Sequence, residues 1–182
     1  FPNYHAPFCD ADSRNPDSRP FSADEFVDTY EQIADLKKEG LVRNIGISNM
    51  TIPKLEAVLP KLSVKPAACE LECHVCFQQK ELFDYLVKAG IQPVGFMPLG
   101  SPQRPERDMC AEDVADLKTP VMQEIAKAHS VHPAIIALKW AQKNGQIPIP
   151  FSVHENEYMS NLRAFTEDPL TDEEMERISG LE

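Results

Sequence analysis

The sequence predicts an α/β fold built on a parallel sheet, and two observations carry that prediction. Strand candidates at 43–47, 67–73, 93–96 and 147–149 alternate with helical patterns, so the strand–helix unit repeats four times. The helical segments also open and close on recognisable caps. Such an order implies parallel strands joined by right-handed crossovers. Four units make half of an eight-stranded barrel. A full barrel takes about 250 residues and a small one about 200, so a chain of 182 is too short to close one alone. A flavodoxin-like open sheet competes, and periodicity does not separate the two.

The elements follow in order. Residues 1–21 read as a long loop, with Pro2, Pro7, Pro16 and Pro20 among Asn, Asp and Ser. Ser22 and Glu25 then form a capping box, and Phe21 with Phe26 a hydrophobic staple. Phe26, Tyr30, Ile33 and Ala34 keep helical spacing, and Gly40 stands where a terminating glycine belongs. After the strand at 43–47, a helix is expected over 51–59. After the strand at 67–73, Leu82, Phe83, Leu86 and Val87 mark a helix over 79–89, stopped by Gly90. The strand at 93–96 leads into a polar loop over 98–118. Thr119-Pro120 opens a helix with proline at its first position. Another begins at Pro133 and stops at Asn144-Gly145. The last strand is followed by helices near 155–164 and 171–178, the latter with Thr171 and Glu174 as a second capping box.

The size fits one domain, burying about 70% of its unfolded surface, and an apolar content of 42% is ordinary. A net charge of -11 repels phosphate backbones, which argues against nucleic acid as a partner. No apolar run approaches the ~20 residues that span a bilayer. No signal peptide is visible, although a chain opening at Phe1-Pro2 leaves a preceding targeting segment open. The five cysteines, Cys9, Cys69, Cys73, Cys76 and Cys110, are odd in number and unevenly spaced, unlike a secreted disulfide framework. Reduced thiols fit a cytoplasmic protein. Cys73-x-x-Cys76 with His74 between invites a zinc or redox reading, but a structural zinc site normally has four ligands with paired spacing. Packing residues at a strand end are the preferred alternative, with no metal.

The most informative stretch is Gly46-Ile47-Ser48-Asn49. It reads as a strand delivering a hydroxyl and an amide to its C-terminal end, the rim where barrels bind ligands. The two side chains together can donate to and accept from a planar amide. Capping of the next helix is the plainer use of such a pair. Further on, alternation puts Glu70, Glu72 and His74 on one face of a strand and Cys69, Leu71 and Cys73 on the other.

The runs Gly40 to Asn49, Glu70-Leu71-Glu72-Cys73-His74, Leu99-Gly100-Ser101, Ile147-Pro148-Ile149-Pro150-Phe151-Ser152 and the tail from Leu170-Thr171 to Leu181 resemble aldo-keto reductases, in order and in spacing. The resemblance covers essentially the whole chain, residues 1–182. It implies a (β/α)8 TIM barrel, of which this chain supplies roughly strands 5–8, and an oxidoreductase that moves hydride from NAD or NADP to a small carbonyl substrate, an aldehyde, ketone or sugar.

The resemblance also assigns cofactor-binding residues. Ser48 and Asn49 take the nicotinamide carboxamide, with Glu70 a second ligand to it where most members have Gln. Phe96 stacks on the nicotinamide in place of the usual Tyr. Leu99, Gly100 and Ser101 match the loop over the pyrophosphate, and Arg104 and Arg107 follow it. Ser152 reaches a phosphate or ribose, and Asn161 contacts the adenine. Two departures stand out. Members that grip the 2′-phosphate of NADP place a Lys at Phe151 and an Arg at Glu157, and a charge-assisted bond is worth about 1.5–3 kcal/mol. The expectation therefore leans to NAD or dual use.

The family's catalytic Tyr, Lys, Asp and His come from the first four strands, so no catalytic residue is assigned in this chain. Phe1-Pro2 resembles the pair just after the catalytic His, and Tyr4 and His5 belong to the loop bordering the substrate pocket. Both ends cut through family sequence, as in a fragment of a longer chain. The alternative is a non-catalytic half-barrel that binds cofactor or plays a structural part, self-associating through its open edges.

Overall fold

The computed structural model describes residues 20–100 and 115–182. Ser101, Arg104, Arg107, Cys9, Cys110, Tyr4 and His5 therefore lie outside the described residues. The described elements are α1 (Ala23–Lys38), β1 (Gly46–Ser48), α2 (Ile52–Val58), β2 (Ala68–Glu72), α3 (Lys80–Lys88), β3 (Gln92–Phe96), α4 (Pro120–Ala128), α5 (Pro133–Lys143), β4 (Ile147–Pro148), α6 (Glu155–Arg163) and α7 (Asp172–Ser179).

The four strands form one parallel sheet in the order β1-β2-β3-β4. Spatial order follows chain order. A flavodoxin-like sheet would double back past its first strand. Strands that step one way through right-handed crossovers leave every helix on one face, which is how a barrel winds. The sheet thus has the strand order of a four-stranded arc of a barrel.

Local chemistry explains the elements. Ser22 Oγ accepts from Glu25 N at 3.3 Å, and the Phe21 and Phe26 rings sit 6.0 Å apart, so the staple forms with half of the expected box. Thr171 and Glu174 make both bonds of theirs. Helix α1 ends in a Schellman motif, with Gly40 N donating to Lys37 O at 3.0 Å and Leu41 N to Leu36 O at 2.9 Å. Gly40 takes the left-handed φ of 77° that this ending requires. The expected strand at 43–47 pairs only over Gly46–Ser48, because its partner ladder starts opposite Gly46 at Ala68. Pro93 has no N–H to give, and it is tolerated because the β4 ladder begins only opposite Val94.

The core lies behind the sheet. Ile47, Cys69 and Leu71 on the outer face pack with Leu55, Leu86, Ile125, Ile136 and Trp140, and Ile178 of α7 joins them. Pairing places Ser48, Glu70 and Val94 level on the inner face, with Glu72 and Phe96 one layer toward the C-terminal rim. None of the α6 side chains is buried.

Candidate functional site

The rim is built from strand ends. Asn49 follows β1 in the left-handed region, φ 55°, which Asn tolerates better than most residues. Its backbone N–H still donates to Glu70 O at 2.9 Å, so the ladder extends past the strand while the side chain turns outward. Nδ2 donates to Ser48 Oγ at 3.0 Å, and Oδ1 has no partner among the described residues. Helix α2 has Thr51 at its N-cap position, and neither Thr51 nor this pair gives it a side-chain cap bond. The capping use of Ser48-Asn49 is therefore not what the structure shows.

Glu70 sits opposite Ser48. It is exposed, and its carboxylate finds no donor among the described residues. Ser48 and Glu70 share a cavity of about 690 Å³ with Val94 and with Phe26 and Tyr30 of α1. Burial, helped by Glu31, pushes the Tyr30 phenol up to about 12.

Glu72 has a different environment, since His74 Nε2 lies 3.3 Å from its Oε1. The other ring nitrogen, Nδ1, approaches Asp116 Oδ2 at 2.7 Å. That approach suits an ion pair, while its angles fall outside hydrogen-bond alignment. Burial alone would push His74 down, but Asp116 and Glu72 outweigh it and raise the imidazole to about 9. Asp116 and its link to His74 were not visible in the sequence, because a long loop separates them along the chain.

Cys73 Sγ donates to Gln78 O at 3.3 Å, and burial pushes its thiol up to about 12. Burial first, then Asp116, raises Cys76 to about 12 as well. Thiols held that high are poor nucleophiles and poor metal ligands. Among the described residues no cluster of His, Cys, Asp and Glu is arranged to hold a metal ion.

Phe96 ends β3 half-buried, in register with Glu72. Met97 takes φ 49° and Gly100 φ 71°, and Gly100 N donates to Met97 O at 2.9 Å, so β3 runs into a tight turn. Leu99 in that turn lines a second cleft of about 770 Å³ together with Ser152, Glu157 and Asn161. The structure thus brings Ser48, Asn49 and Glu70 together at one end, and Leu99, Ser152 and Asn161 at the other. The β3 end connects the two.

In the second cleft Ser152 Oγ donates to Glu157 Oε2 at 2.5 Å and accepts from His154 N at 3.1 Å. The carboxylate of Glu157 thus takes the proton of the Ser152 hydroxyl. Arg163 lines the same cleft with no ion-pair partner among the described residues, a cation that the sequence motifs did not single out.

This donor set fits a nicotinamide dinucleotide. The rim offers an amide-and-hydroxyl pair, an aromatic ring follows, and a polar cleft lies at the far end.

The family model described as Aldo/keto reductase family matches residues 3–182. Aldo-keto reductase family 1 member C13 of Mus musculus is 35% identical over 159 residues, covering 86% of this chain and 49% of its own length. Aldo-keto reductase family 1 member A1 of Sus scrofa is 32% identical over 161 residues, covering 88% and 49%. A crystal structure of an aldo/keto reductase from Brucella melitensis matches with a TM-score of 0.77 at 29% identity, over 89% of this chain and 57% of that one. The chain spans about half the length of the curated relatives it matches.

Proposed function

The chain belongs to the aldo/keto reductase family, and from that premise we propose that it is the cofactor-holding part, roughly strands 5–8, of an NAD(P)-dependent reductase of aldehydes, ketones or sugars in the cytoplasm. The observation that carries the proposal is the rim at β1. Ser48 and Asn49 stand side by side, uninvolved in capping α2, with the open carboxylate of Glu70 in register.

Ser48 and Asn49 bind the carboxamide and fix which face of the ring meets the substrate. Glu70 accepts from the carboxamide NH2 and adds negative charge beside the ring. Phe96 stacks on the ring, which needs an aromatic face and not a hydroxyl. Leu99 offers a backbone N–H to the pyrophosphate from a turn that Gly100 N closes onto Met97 O, and the resemblance assigns Ser101 to the same loop. Ser152 and Asn161 take the ribose and adenine. When bound, the cofactor supplies the hydride. Proton delivery belongs to the Tyr, Lys, Asp and His that the family places in its first four strands.

The Ser152–Glu157 bond favours NAD or dual use over NADP, because a phosphate dianion there would meet a carboxylate. Titration with NADH and NADPH tests this. NADH should bind at least as tightly as NADPH. Tighter NADPH binding overturns the preference, and no binding of either overturns the proposal. A second reading, a non-catalytic half-barrel, is favoured by the exposed Ile147 and Ile149 at the β4 edge. Carbonyl turnover by the purified protein excludes it.

A further inference from the structure

Behind the rim runs a chain of three charged side chains for which the cofactor contacts above have no use. Asp116, only 1% exposed, is its buried end. It faces His74, and His74 faces Glu72. Glu72 is level with Phe96, so the chain surfaces beside the ring assigned to the nicotinamide. Asp116 also touches the turn after β3. A Cβ at Gly100 would lie 2.5 Å from Asp116 Cγ and Oδ1, so the carboxylate rests against the Gly100 backbone. That turn includes Met97 at φ 49°. A residue other than glycine stays there only when its surroundings hold it. Neither carboxylate oxygen of Asp116 has an aligned hydrogen bond among the described residues. A buried carboxylate in that state is costly unless a cation faces it, and His74 is the cation in contact.

We propose that Asp116, acting through His74, is a positioning residue for the cofactor rim, fixing at once the 97–100 turn and the Glu72 carboxylate beside Phe96. This rests on the cofactor reading above. Were the three side chains mere packing, their removal would lower stability and leave a folded protein's affinity for cofactor unchanged. As positioning groups, they tie affinity to the charge on His74. The groups facing that ring are Glu72, Asp116 and the Phe77 ring, with Cys76 behind Asp116.

The test is the NADH dissociation constant as a function of pH for the unsubstituted protein, Asp116→Asn and His74→Gln, with melting temperature measured alongside. Unsubstituted protein should bind NADH evenly at neutral pH and lose affinity as His74 deprotonates in the alkaline range. Asp116→Asn should weaken binding about tenfold, the equivalent of 1.4 kcal/mol, and bring the alkaline loss to lower pH. His74→Gln should remove the pH step. A lower melting temperature with unchanged affinity and an unchanged step overturns the inference while leaving the cofactor reading intact. No NADH binding by the unsubstituted protein overturns both. Should the variants fail to fold, the Gly100 amide resonance of the unsubstituted protein decides. It should shift with the same midpoint as the His74 ring, and an independent midpoint rejects the coupling.

Discussion

Glu70 carries the charge nearest to Ser48 in the register of the rim. It places a carboxylate with no partner among the described residues level with Ser48, and negative charge there stabilises a cationic ring over a neutral one. Glu70→Gln is expected to shift the ratio of oxidised to reduced cofactor affinity toward the reduced form by several-fold, and an unchanged ratio rejects the assignment. His74 gives a pH prediction. Its pKa is raised from 6.5 to about 9, so between those values the folded state holds a proton that the unfolded state releases. The stability it contributes is full below about 6.5 and is lost as pH rises through about 9. Melting temperature followed to about pH 10 should show that alkaline decline, and His74→Gln should flatten it. At this scale the site was half legible. Ser48 and Asn49 are neighbours in sequence, so their shared chemistry could be read directly. The Asp116–His74 contact depends on how a loop returns, and no local pattern encodes that.

At the scale of elements, caps were the most legible signal because their physics is local. Gly40, Gly90 and Gly145 all close helices with φ between 66° and 85°, and the Thr171–Glu174 box forms in full. Strand ends were less legible. Where a ladder begins depends on its partner, which is why β1 starts at Gly46 and not earlier. Gly95 shows a constraint that the sequence hides. A side chain there would overlap Gln146 Nε2, whose amide donates to Cys73 O at 3.2 Å and ties β4 to the end of β2. Gly95→Ala should therefore cost about 1–3 kcal/mol, read as a lowered melting temperature. An unchanged midpoint would mean that Gln146 moves away freely.

For the molecule as a whole, β1 and β4 are the edges of the sheet, with no further strand paired to either among the described residues. Ile147 of β4 is 51% exposed, and Phe151, just past the end of that strand, is 86% exposed. The cavity between α1 and β1 flanks the other edge. Open edges of an apolar parallel sheet invite pairing, and a closed barrel has none. These 182 residues on their own are expected to self-associate in size-exclusion chromatography with light scattering, and a monomer at every concentration contradicts that. Strand order was what the sequence left open. Periodicity marks strands and helices but not their neighbours, and only the observed β1-β2-β3-β4 sequence separates a barrel arc from a doubly wound sheet.

The most direct test of the central claim is the NADH affinity of the protein before and after Asn49→Ala. If the rim at β1 seats the nicotinamide, the unsubstituted protein binds NADH and the variant binds it about tenfold more weakly with its fold intact, as expected for loss of one to two hydrogen bonds. Equal affinity in the two proteins would place the cofactor elsewhere and contradict the account.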